Sequence, residues 1–166
     1  VAGCLCFFVF RAEGAGLAWV GVFLSAERGL GEAYAGLGYA AFALTMTIGR
    51  LTGDAIVRRL GATRVIVFGG ALAAAGMLLA TLFPAWETAL LGYALVGVGC
   101  SNIVPVMYTA VGKQTLMPEH IAVPAITTLG YAGILAGPAM IGFIAHGSSL
   151  STAFLLVAIL LIGVAI

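Results

Sequence analysis

Apolar residues run along this chain in long blocks, and the polar ones are crowded into short intervals between them. Six blocks stand out: Val1 to Leu24, Ala33 to Leu51, Val65 to Phe83, Thr88 to Val111, Val123 to Ala145 and Ser151 to Ile166. None alternates with the period of two that marks a half-buried strand. Their lengths cluster near the roughly 20 residues that a helix needs to cross a bilayer, well beyond the roughly 9–11 of a barrel strand. Lipid offers the backbone no hydrogen-bond partner, so each block must satisfy its own amides, as a helix does. The pattern predicts an all-α membrane protein with six transmembrane helices and short connections.

Composition agrees with that solvent. The 166 residues are 63% hydrophobic and 8% charged, against roughly 45–50% and 25% in ordinary soluble domains. This excludes a soluble enzyme, a disulfide scaffold and a nucleic-acid module, and a formal net charge of +1 provides no basic field for nucleic acid. Cys4, Cys6 and Cys100 all lie in apolar blocks and have no ligand spacing with His120 or His146, so they read as small buried hydrophobes. HExxH, GxSxG and P-loop patterns are absent. No catalytic residue, metal or cofactor is therefore expected, and the chain does not read as an enzyme. It starts and stops inside apolar blocks, as a fragment of a longer chain would, and VAGCLCFFVFRAEG lacks the order of a signal peptide.

The placement of charge orients the helices. Arg58, Arg59 and Arg64 fall in the interval after the second block, with Arg50 at the end of that block, and Lys113 in the interval after the fourth, so five of the seven basic residues lie on one side of the membrane. Only Arg28 lies opposite. The positive-inside rule makes the basic side cytoplasmic in a multi-pass protein of the cell inner (plasma) membrane. The 24 glycines suit close helix packing in lipid, and Gly130, Gly133 and Gly137 share one face of the fifth helix. The tetrapeptide LGYA recurs at Leu37, Leu91 and Leu129; its copies in the second and fifth helices are those an inverted three-plus-three repeat places in correspondence.

Several residues are out of place in hydrocarbon. Arg11 and Glu13 lie about halfway along the first helix, where a charge costs at least about 2.5–3.5 kcal/mol and normally marks an ion or substrate path. Two residues apart, they stand about 200° from each other around the helix, so the other reading is an ion pair with a different helix. Ser101, Asn102 and Pro105 near the middle of the fourth helix, and Gly137-Pro138 in the fifth, suggest interrupted helices of the kind that form transporter sites; Asn102 alternatively joins two helices. Trp19, Tyr39, Tyr108, Thr127, Thr128 and Tyr131 are candidate substrate contacts, with Thr127 and Tyr131 four apart on one face. Trp86 reads as an interfacial anchor.

The stretch Gly49-Arg50-Leu51-Thr52-Gly53-Asp54, followed by Arg58-Arg59-Leu60-Gly61 and Arg64, resembles the signature loop of the major facilitator superfamily. That loop joins the second and third helices of each six-helix half. Ser101-Asn102-Ile103-Val104-Pro105 and Ala12-Glu13-Gly14-Ala15 are similar to the later half of glycine-rich bacterial members, some of them distantly like sugar permeases. Two positions depart from the signature: Arg50 stands where glycine is usual, and Ala55 where a basic residue usually follows.

The resemblance implies that residues 1–166 are the C-terminal six-helix bundle, helices seven to twelve, of a carrier whose N-terminal half is missing here. It further implies alternating access, a small polar solute as substrate, and a cytoplasmic gate built from Gly49, Arg50, Gly53, Asp54, Arg58, Arg59, Gly61 and Arg64. Protons are the coupling ion expected of Glu13. A six-helix channel or structural subunit is the competing reading, although a channel needs a selectivity ring or pore loop and the sequence has neither.

Overall fold

The computed structural model describes residues 2–115 and 117–165, and only the backbone of Ala2, Cys4, Ala15 and Leu17. The expected burial of Cys4 and the block ends at Val1 and Ile166 therefore lie outside the described residues. The chain forms α1 (Ala2–Ala26), a 3-10 turn (Glu32–Tyr34), α2 (Leu37–Leu51), α3 (Gly53–Leu60), α4 (Ala62–Leu82), α5 (Trp86–Cys100), α6 (Ile103–Lys113), α7 (Glu119–Gly147) and α8 (Leu150–Val164). No strand occurs among the described residues. Three stretches are long and apolar enough to cross a bilayer: Ala62–Leu82, Trp86–Lys113 and Glu119–Gly147. Two bent pairs raise this to as many as five, one within α1 and one formed by Glu32–Leu51 with α3, and α8 is a shorter apolar helix.

Three expectations need correction. The polar interval after the second block is not a plain connection, because Gly53–Leu60 forms α3, bent 61° from the preceding helix. Gly61 ends it at φ +82°, a conformation that favours glycine, and its N–H bonds the Val57 carbonyl. The fifth block is not interrupted at Gly137-Pro138: α7 continues through Pro124 and Pro138. Proline removes one donor, and the Ile134 carbonyl it frees faces Gly14 of α1, where an added Cβ would stand 3.1 Å from that oxygen. The third correction concerns the repeat, since Leu37 begins α2 whereas Leu129 lies well inside α7, so the two LGYA copies do not fall at matching positions in their helices.

The most extensive contacts join α1 to α7, α4 to α5, α2 to α5, and α4 to α8. With α1, α2 and α4 as one triplet and α5–α6, α7 and α8 as the other, first meets second in both directions and third meets third, as in an inverted repeat, while the α4–α5 contact lies outside that symmetry. Along α1, Cys6, Val9, Glu13, Val20, Phe23 and Leu24 form a buried stripe at helical spacing. Cys6 and Cys100 are fully buried, as expected of small hydrophobes. Gly130 and Gly133 of α7 abut Phe10 and the Phe7 carbonyl of α1, and Gly137 is also buried.

At the end opposite the basic residues, Phe23, Tyr93 and Phe154 from three helices meet edge to face, with centroids 5.0–6.4 Å apart. Next to them the dipeptide Glu27-Arg28 caps two helices of opposite polarity. Arg28 donates to the carbonyls of Ala80 (3.0 Å) and Thr81 (2.8 Å) at the α4 C-terminus while its guanidinium lies 4.4 Å from the Phe23 ring centroid. Glu27 accepts from the Leu150 and Ser151 amides at the α8 N-terminus, and from the Ser151 hydroxyl. Each charge faces the helix end of opposite partial charge. Arg28→Ala is expected to destabilise the protein by about 2 kcal/mol, the loss of two charge-assisted bonds to otherwise orphaned carbonyls, read as a lower thermal midpoint in detergent.

Candidate functional site

The middle of α1 is buried on all sides: Arg11, Ala12, Glu13 and Gly14 are each under 9% exposed. Arg11 and Glu13 do not pair with each other among the described residues, and Arg11 Nε and Glu13 Oε1 have no hydrogen-bond partner. The 200° offset inferred from sequence explains this.

Arg50, Asp54, Arg58, Lys113, Thr109 and Asn102 line a cavity of about 480 Å³ at the basic end, between the α2–α3 elbow and α6. The charged groups there are exposed, and none forms an ion pair among the described residues. Asp54 stands in the first turn of its own helix, α3, where a carboxylate suits the dipole. Across the elbow, a second, largely apolar cavity of about 360 Å³ is lined by Ile48, Thr52, Leu60, Phe68, Ser101 and Asn102 among others. Glu13 lines neither cavity, so the expected vestibule shared by Glu13 and Asn102 is not formed within this chain. Both are buried, but Asn102 opens on cavities and Glu13 on protein.

The fourth span is interrupted where sequence placed the interruption. α5 ends at Cys100, Ser101 and Asn102 form a turn, and α6 restarts at Ile103. Pro105 sits in the first turn of α6, where a missing amide is tolerated. The Asn102 side chain does not cap α6; its Nδ2 donates instead to the Gly49 carbonyl (3.0 Å) and to Ser101 Oγ (3.0 Å).

The hydroxyl and aromatic candidates separate. Trp19 donates its indole N–H to the Pro138 carbonyl at 3.0 Å, across the α1–α7 interface. The Tyr108 hydroxyl meets Thr127 Oγ1 at 2.9 Å, and Thr127 donates to the Val123 carbonyl. Tyr131 is 62% exposed although Thr127 is not, and Thr128 is exposed and bonded to the Pro124 carbonyl. Tyr39 is half exposed beside a small pocket with Ala12, Phe42 and Tyr93. Gly49 and Gly53 are buried against α5–α6, whereas Arg59, Gly61 and Arg64 are exposed. Sequence reasoning missed Glu27 and Arg28, whose partners lie 52 or more residues away.

An α-helical, multi-pass membrane protein with paired triplets of helices, a charged elbow between its second and third spans and an ionisable pair buried in its first is built on the plan of a transport protein half. Residues 2–166 match the family model of the Major Facilitator Superfamily, and the chain belongs to that superfamily. It is 53% identical over 163 residues to an uncharacterised MFS-type transporter of Yersinia pestis, covering 98% of this chain and 42% of that protein. It is 32% identical over 155 residues to the membrane protein MosC of Rhizobium meliloti, covering 93% and 38% respectively. The crystal structure of the peptide transporter POT in complex with alafosfalin superposes with a TM-score of 0.71 at 19% identity, over 99% of this chain and 34% of that one. The chain thus spans about two-fifths of the length of these curated relatives.

Proposed function

We propose that this chain is the C-terminal six-helix half of a secondary active transporter. It moves a small polar solute by alternating access in the inner membrane, with the basic end in the cytoplasm and protons coupled through Glu13. The observation that carries the reading is the buried Arg11 and Glu13 in the middle of α1, each with an unpartnered polar atom, in a member of a superfamily with a relative of 53% identity named as an MFS-type transporter. The N-terminal half supplies the opposite wall of the path. Trp19, Tyr39, Tyr108, Thr127 and Tyr131 are the polar and aromatic groups this half contributes, with Arg11 and Glu13 as its charges.

The gate belongs to the 480 Å³ cavity, where one carboxylate, Asp54, faces Arg50, Arg58 and Lys113. Closing the basic end brings charges from the other half into that cavity, and opening releases them. Asp54→Asn is then expected to lower turnover at least tenfold with substrate affinity nearly unchanged; unaffected turnover removes Asp54 from the gate. The reading as a whole is tested by thermal stabilisation of the purified full-length protein across sugars, amino acids and drugs. A ligand at a hundred times its Kd contributes about 2.7 kcal/mol, and a hit is then carried into proteoliposome uptake. A ligand that stabilises the protein but is never accumulated against its gradient counts against a carrier.

A further inference from the structure

We propose that Asn102 is a positioning residue, a latch that fastens the restarted helix α6 to the α2–α3 elbow so that the two form one rigid unit at the basic end. The proposal reassigns Asn102 from the substrate path and rests, for its consequence in transport, on the alternating-access reading above.

Three observations converge on it. Asn102 holds the N-cap position of α6, where asparagine ordinarily accepts an amide of its own helix, yet its side chain makes no such bond. Its carboxamide reaches across to the second span, 53 residues away in sequence. The Gly49 carbonyl it meets belongs to the last turn of α2, among the carbonyls that a terminating helix leaves without backbone donors, and it also accepts from the Thr52 hydroxyl at 3.3 Å. In lipid an unsatisfied group of this kind is expensive, so the Asn102 bond, together with that of Thr52, supports the end of α2 where it turns 61° into α3.

The fit around the carboxamide is close. A Cβ on Gly53 would stand 3.0 Å from Asn102 Cγ and collide with its Oδ1, and a Cβ on Gly49 would collide with Ser101 Oγ. These two glycines of the signature segment therefore make room for the turn at Ser101 and Asn102. Pro105 removes the amide that would otherwise tie the Ser101 carbonyl into a continuous α5–α6 rod. The turn keeps its backbone bonds to Val98 and Val106, and the Asn102 side chain is attached to the elbow. When the halves rock, α3, with Asp54 and Arg58, and α6, with Lys113, move together, and the cavity they line keeps its shape.

The test uses the full-length protein in lipid nanodiscs with spin labels at Ala55→Cys on α3 and Thr109→Cys on α6, both exposed positions. Protein without added cysteines gives the background from the native cysteines, of which Cys6 and Cys100 are buried. Asn102→Asp keeps the shape and removes the donor; Gly53→Ala keeps the donor and displaces it. The expected result is one narrow distance distribution with native Asn102, and at least a doubling of its width in both variants. Ser101→Ala, which retains the bond to Gly49, should leave the distribution narrow. Should Asn102→Asp fail to fold, Gly53→Ala gives the same reading through the same contact. An unchanged width in folded variants overturns the latch. Failure of the protein with native Asn102 to accumulate any solute, its label distance being narrow, would instead count against the carrier reading and leave the latch standing.

Discussion

Replacing Glu13 with glutamine is expected to reduce proton-driven uptake by the full-length protein to background while leaving membrane insertion and folded yield intact. Glutamine matches glutamate in shape and fixes the neutral form, so the substitution removes only the capacity to gain and lose a proton. Glu13 is 8% exposed on the buried stripe of α1, and one of its oxygens has no partner. A residue whose role was structural would be held by such a partner, and its neutralisation would lower stability without touching coupling. Equilibrium exchange of labelled substrate separates the roles further, because exchange moves no net proton. A coupling acid made neutral leaves exchange running and stops accumulation, whereas a substrate contact loses both. Retained accumulation in Glu13→Gln would place the coupling elsewhere.

Arg50 stands near the end of α2, where the family pattern more often has glycine, and lines the 480 Å³ cavity at the basic end.

The helical class and the charges buried in α1 were legible in the sequence because each follows from a local property: run length and hydropathy, or a charge where lipid tolerates none. What sequence could not supply was partnership. Asn102 announced an amide in need of a bond, but nothing local identifies Gly49, 53 residues away, as its acceptor. Glu27 and Arg28 read as an ordinary polar connection because the helix ends they cap come from α4 and α8. The short α3 passed for a loop because Arg58 and Arg59 interrupt its apolar pattern within eight residues. Pro138 was misread for the opposite reason: a local rule predicted an interruption that tertiary packing against Gly14 removes.

The glycines show the same division, and they carry the largest stability effect expected here. With 24 in the chain, composition cannot tell the indispensable ones from the rest. The structure can. α4 and α5 cross antiparallel with two reciprocal glycine pairs: a Cβ on Gly69 would stand 2.5 Å from the Gly99 carbonyl oxygen, and one on Gly99 an equal 2.5 Å from that of Gly69. Gly76 and Gly92 face each other in the same way, seven residues along each helix, so both pairs fall on one seam. Because the obstructing atoms are backbone, no rotamer change relieves the clash and the helices must separate along the whole contact. Overpacking of a core usually costs about 1–3 kcal/mol; Gly76→Leu is expected to exceed that range and to abolish the folded bundle, since total stability is of the order of 5–15 kcal/mol. Gly163 of α8, with nothing within 4 Å of an added Cβ, is the control: Gly163→Ala should be neutral or stabilise by up to about 1 kcal/mol through helix propensity. Folded yield and thermal midpoint in detergent measure both, and equal tolerance at the two positions would mean that α4 and α5 do not meet at this seam.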